Sequence, residues 1–199
     1  KYIGEALKVN STLTLLNIGV RNINKRENTS YANNVTDNKI GNDGAKYISD
    51  GLSLNTKLVN LSLHCTEQDK MQERSITELN RFIGNEIKAE GGKYFGEALK
   101  VNTTLMFLNV NANVFGEEGA SFISEALKIN TTLIQLDIYG TQYFEANVLI
   151  SLNNIASTDN KLGTEGARYL SEALQVNTTL NSLTLSCTLV NKHMLESIT

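Results

Sequence analysis

Apolar residues along this chain follow two alternating rhythms. The first is a short run, L-x-x-L-x-L, with Ile or Val allowed in the last place. It appears as Leu58, Leu61, Leu63; Leu105, Leu108, Val110; Leu133, Leu136, Ile138; and Leu180, Leu183, Leu185. A further copy begins at Leu13. The last two places alternate as a half-buried strand does, so each run predicts one short strand. The second rhythm is I-G-x-x-G-A-x-x-I-x-x-A-L. It puts Ala45, Ile48 and Leu52 on one helical face, and likewise Ala120, Ile123, Leu127 and Ala167, Leu170, Leu174. Small residues at Gly51, Ala98, Ala126 and Ala173 predict close approach of helix to strand. The two rhythms form one repeating unit: EALKVNTTLMFLNV from Glu97 returns as EALKINTTLIQLDI from Glu125, 28 residues on. So short a unit cannot cover its own apolar face and must stack on its neighbour. An α/β solenoid follows, one domain over residues 1–199 with five repeats. The sequence opens and closes inside the pattern, which reads as a piece of a longer array.

Each predicted helix ends at an Asn: Asn10, Asn55, Asn102, Asn130 or Asn177. Asn tolerates the left-handed conformation, so a left-handed helix cap is expected there. Four of these Asn lie in N-x-T/S sequons, all but Asn55. The helix end accounts for the Asn without invoking glycans. An aromatic recurs on the helices, as Tyr2, Tyr47, Tyr94, Phe122 and Tyr169. It reads as a packing ladder between neighbouring helices.

Spacing between strands is uneven. Leu105 to Leu133 is 28 residues, Leu13 to Leu58 is 45, and Leu58 to Leu105 and Leu133 to Leu180 are 47 each. The excess sits between a strand and the helix after it. CTEQDKMQERSIT from Cys65 resembles CTLVNKHMLESIT from Cys187, and NNVTDNKIG from Asn33 resembles NNIASTDNKLG from Asn153. A higher unit of three repeats therefore recurs, two with inserts and one without. Ser75 and Glu78 form a capping box ahead of Ile76, Leu79, Ile83 and Ile87. Phe144, Val148, Leu152 and Ile155 have similar spacing. Two short amphipathic helices are expected over the rim, while residues 22–34 read as a loop.

L-x-x-L-x-L-x-x-N followed by the helical pattern resembles the ribonuclease-inhibitor class of leucine-rich repeat, also found in the repeat arms of NOD-like receptors. That resemblance implies an open horseshoe with parallel strands on the concave face and helices on the convex face. It also implies a cytoplasmic, non-catalytic module that binds a protein. The Asn closing the strand turn is present as Asn113. Thr66, Thr141 and Thr188 stand there where an insert follows, and Arg21 in the first copy.

In such a horseshoe the residues between core positions face the concave side. Leu15, Asn17 and Gly19 lie there in the first copy. The candidate partner-binding set is Asn60, Ser62, His64, Phe107, Asn109, Asn111, Gln135, Asp137, Tyr139, Ser182 and Thr184. Phe107 and Tyr139, on neighbouring strands amid hydrogen-bonding residues, resemble a protein-binding hot spot. The inserts all leave from one rim, either covering the edge of the core or presenting a second partner surface.

Composition narrows the chemistry. A net charge of −3 argues against nucleic acid, which demands clustered Lys and Arg. No apolar run is long enough to span a membrane, and no signal-peptide pattern is present. Cys65 and Cys187, three strand spacings apart, are too distant for a disulfide. His64 has only His193 as a fellow imidazole, so a metal site fails, and no cofactor is expected. No nucleophile–base pair or phosphate loop is evident. Two other readings stand beside partner binding. One is regulation of a GTPase, with Arg21 or Asn111 as donor. The other is a structural segment that self-associates end to end.

Overall fold

A computed structural model describes residues 1–21, 38–66, 85–138, 141–142, 160, 162–185 and 188–189, with the backbone only at 20–21, 65–66, 141–142 and 188–189. In chain order the elements are α1 (Tyr2–Val9), β1 (Leu15–Asn17), β2 (Val20–Arg21), α2 (Gly41–Leu52), β3 (Asn60–Ser62), β4 (Cys65–Thr66) and α3 (Ala89–Val101). There follow β5 (Phe107–Asn109), α4 (Gly116–Leu127), β6 (Gln135–Asp137), β7 (Thr141–Gln142), α5 (Gly163–Leu174), β8 (Ser182–Thr184) and β9 (Thr188–Leu189).

The five main strands form one parallel sheet in the order β1-β3-β5-β6-β8. Register is set by the central Leu of each repeat: Leu16, Leu61, Leu108, Leu136 and Leu183 stand side by side. Helices cover one face of the sheet. Leu58, Leu61, Leu63 and their counterparts in the next two repeats are buried against Ile48, Leu52, Phe95, Leu99, Ile123 and Leu127. At the ends of the array burial fades. Ala167 is exposed, and Leu174 and Leu185 are each 41% exposed, because no described repeat follows them.

The Asn at each helix end is not left-handed. Asn10 and Asn102 are extended, with φ of −72° and −74°. Their work is done by the side chain. Oδ1 of Asn102 accepts from the amides of Thr104 and Leu105, turning the chain into the strand. Its Nδ2 donates backwards, to the carbonyls of Leu52 and Asn55 in the preceding repeat. Asn55, Asn130 and Asn177 repeat both halves of this arrangement. A continuous asparagine ladder thus runs along the rim where the strands begin. Each buried rung satisfies backbone groups on two repeats, groups that are costly to leave unpaired.

A second ladder runs along the opposite rim. Asn113 donates to Val110 O, at 2.9 Å, and to Asn111 O, and accepts from the amide of Ile87. The repeats with inserts keep this Asn on the far side of the insert. Asn38 donates to Ile18 O, Asn85 to Leu63 O and Asn160 to Val110 O. The expectation that Arg21, Thr66 and Thr141 replace the turn residue is therefore corrected; for Thr188 the residues that follow lie outside the described ones. Where the Asn is delayed, the chain runs on as an extra strand. β2 pairs with β4, matching Arg21 to Thr66, and β7 pairs with β9, matching Thr141 to Thr188. Adjacent insert-bearing repeats thus pair with each other. Ile87, expected on an insert helix, lies in the non-helical approach to α3 and is fully buried. The other positions of the two expected insert helices, and the whole 22–34 loop, lie outside the described residues.

Gly51, expected to let helix approach strand, instead sets the spacing of helix to helix, and Gly96 does the same. A Cβ on Gly51 would lie 2.5 Å from Gly4 O of α1, and one on Gly96 would lie 2.6 Å from Phe122 O of α4. The aromatics follow the ladder reading: Tyr47, Tyr94, Phe122 and Tyr169 are half-buried. Tyr2, with no described helix before it, is 88% exposed.

Candidate functional site

The face of the sheet turned away from the helices carries two columns of side chains. Strand register places Leu15, Asn60, Phe107, Gln135 and Ser182 in one, and Asn17, Ser62, Asn109, Asp137 and Thr184 in the other. The alternation of the strands requires this, since the Leu between each pair points into the core. A depression of about 280 Å³ lies across them, lined by Leu15, Asn17, Asn60, Ser62, Phe107, Leu108, Asn109, Gln135 and Asp137.

Its polar groups are fixed by one another. Asp137 sits half-buried between two donors: Thr184 Oγ1 reaches its Oδ1 at 2.8 Å, and Gln135 Nε2 reaches its Oδ2 at 2.9 Å. Asn17 and Asn109 each accept, through Oδ1, the amide two residues ahead. Ser62 Oγ and His64 Nδ1 share a short hydrogen bond. Phe107 is half-buried and Leu15 is 57% exposed, so the first column carries two apolar side chains with Asn60 between them.

Six of the eleven candidates thus line the depression: Asn60, Ser62, Phe107, Asn109, Gln135 and Asp137. Ser182 and Thr184 lie on the next strand. His64 is half-buried past the end of β3. Asn111 is only 3% exposed, so the expectation of an accessible Asn111 is corrected. Tyr139 lies outside the described residues, and with it the expected aromatic pair.

A second groove escaped the sequence reading. It lies on the rim where the strands begin, has a volume of about 460 Å³, and is lined by Thr103, Thr104, Met106, Thr131, Thr132, Ile134, Thr179 and Asn181. Nearby, the residue before each ladder Asn is an exposed aliphatic: Val9, Leu54, Val101, Ile129 and Val176. The signal was present in the recurring V-N-T-T, which the helix-end reading absorbed.

The helical surface carries ion pairs within single helices, among them Lys100–Glu97 at 2.8 Å and Lys128–Glu125 at 2.6 Å. Arg168 pairs with Glu165 and Glu172 and lies 4.4 Å from the Tyr169 ring. Hydrogen bonding to Glu165 raises its pKa. Such exposed pairs contribute little to stability. No helix among the described residues is long and apolar enough to cross a membrane.

Comparisons with known proteins bear on the fold. A family profile described as Leucine Rich repeat matches residues 34–49 and 101–124. No curated protein sequence matches the chain. Among solved structures, the leiomodin-1 actin-binding site 2 is similar with a TM-score of 0.55 at 17% identity, covering 98% of this chain and 83% of that one. The tropomodulin C-terminal domain of Caenorhabditis elegans has a TM-score of 0.56 at 11% identity, covering 99% and 87%. Repeat pattern, parallel sheet and these likenesses agree: the chain is an α/β leucine-rich repeat solenoid.

Proposed function

We propose that this chain is a non-catalytic, cytoplasmic module that binds a protein partner through the concave face of its sheet and the rim that bears the inserts. One observation carries the reading. The outward columns of four adjacent strands meet in one depression, where Phe107 and Leu15 supply apolar contact beside oriented hydrogen-bonding groups. Exposed apolar side chains ringed by polar ones are the anatomy of a protein contact. The side chains stand on a preformed sheet, so little ordering cost falls on binding. The 28-residue spacing supports the ribonuclease-inhibitor subclass.

The test is affinity capture from a lysate by wild type and by Phe107→Ala/Gln135→Ala, followed by measurement of purified pairs. Proteins retained by wild type should be lost from the variant while its melting temperature stays within a few degrees. Equal retention contradicts the reading. Actin is the first partner to try, because the leiomodin-1 domain is named as an actin-binding site. Filament co-sedimentation decides that point.

Exposed groups at the two ends of the sheet, Leu15 on β1 and Leu185 after β8, support end-to-end self-association as a second reading. Light scattering over a concentration series separates it from partner binding. The GTPase reading loses Asn111 as a donor, because its side chain is buried.

A further inference from the structure

The outward columns of the sheet hold ten described side chains, and Asp137 is the sole ionisable group among them. No Lys or Arg stands among those ten. Its carboxylate is held at a fixed angle, one oxygen by Thr184 and the other by Gln135. Each oxygen has two acceptor positions, so one remains on each. A carboxylate in a fixed plane with one acceptor position left on each oxygen suits a guanidinium, which donates two parallel N–H bonds; an ammonium offers a single point charge.

Phe107 completes the geometry. It is paired with Gln135, two residues before Asp137 on the neighbouring strand. That diagonal separates the two residues by roughly 7–8 Å. A planar cation on the carboxylate then lies within reach of the ring, where attraction between cation and π-face adds to the ion pair. Leu15, 57% exposed, lines the same depression and offers apolar contact to the partner segment.

Resting on the protein-binding reading above, we propose that the depression receives an arginine side chain from an exposed segment of the partner. Asp137 takes the guanidinium through both oxygens and Phe107 packs against its face.

The probe is a random displayed-peptide library panned on wild-type protein, with soluble Asp137→Asn present as competitor. Asn keeps one acceptor oxygen, and equal melting temperatures verify that the variant is folded. Enriched peptides should share an arginine. Replacing it with citrulline, which is neutral and of similar shape, or using Asp137→Asn, should weaken binding roughly ten-fold or more, and lysine should restore only part. Peptides that lose affinity on Phe107→Ala but carry no arginine overturn the arginine assignment and leave the binding face standing. Peptides that bind Phe107→Ala and Asp137→Asn as well as wild type overturn both. Failure of any peptide to enrich over the competitor also overturns the assignment.

Discussion

Asn130 Nδ2 donates to the carbonyl of Leu99, one repeat back, at 2.7 Å. The same atom is the one a glycan would occupy in the sequon Asn130-Thr131-Thr132. Asn102 is committed in the same way to Leu52. A glycan at either place removes donor hydrogens and forces bulk between two stacked repeats. In a glycosylating host, mass spectrometry of the monomeric, folded fraction should therefore find Asn102 and Asn130 unmodified. Occupied sites in that fraction would contradict the ladder.

Gly96 and Gly116 separate close packing from backbone conformation. Gly96→Ala puts a methyl 2.6 Å from Phe122 O, a backbone atom that cannot yield without moving α4. Helix propensity alone favours Ala by up to about 1 kcal/mol, so a net loss of 2 kcal/mol or more on denaturant unfolding isolates the clash. Gly116→Ala meets nothing within 4 Å but sits at a φ of +64°. Its cost should stay near 1–2 kcal/mol, the price of a left-handed Ala.

The two turn asparagines Asn85 and Asn113 predict that an insert is dispensable to the core. Deleting residues 66–84 makes the Leu58–Leu105 spacing equal to the 28 residues of Leu105–Leu133. With Cys65→Gly to supply the left-handed place that Ala112 occupies at φ 54°, the shortened chain should fold and unfold in one cooperative transition. Circular dichroism checks this. A molten or aggregated product would show that the Asn on the far side of the insert is not a sufficient anchor.

Tyr94 gives a pH handle on the helical face. Its phenol donates to Glu90 at 2.8 Å, and that hydrogen bond, followed by burial and the Glu90 charge, raises its pKa. Because the folded-state value lies above the unfolded one, the stabilisation is complete below the ordinary tyrosine range and fades as pH climbs through the raised value. In spectrophotometric titration Tyr94 should ionise later than an unperturbed tyrosine, and Glu90→Gln should bring it earlier. No change in Glu90→Gln would remove the assigned cause.

Strand positions were legible because alternation is local. The two neighbours of a core Leu in a strand face out, so Phe107 and Asn109 beside Leu108, and Gln135 and Asp137 beside Leu136, could be placed from sequence. The exposure of Asn111 does not follow from alternation, because it lies past the strand in a turn, where Ala112 is left-handed and Asn111 is buried. The helix-end Asn was recognised as a recurrence but given a local role. Its bonds to the preceding repeat span 28–50 residues and leave no local pattern. The matching D-N-K-I-G and D-N-K-L-G showed Asn38 and Asn160 plainly. Only the bonds of Asn38 to Ile18 O and Asn160 to Val110 O reveal them as the displaced turn residue.

Stacking held by rungs that cross from repeat to repeat is most directly measured by comparing Asn130→Ala with Asn10→Ala in urea. Asn10 makes the two turn bonds, to the amides of Thr12 and Leu13, and Asn130 makes the matching pair together with its donation to Leu99 and Asn102. With buried groups left unpaired at about 1–3 kcal/mol each, Asn130→Ala should cost about 3 kcal/mol and Asn10→Ala about 1 kcal/mol or less. Equal losses from the two substitutions would mean that the repeats are not held together by these side chains.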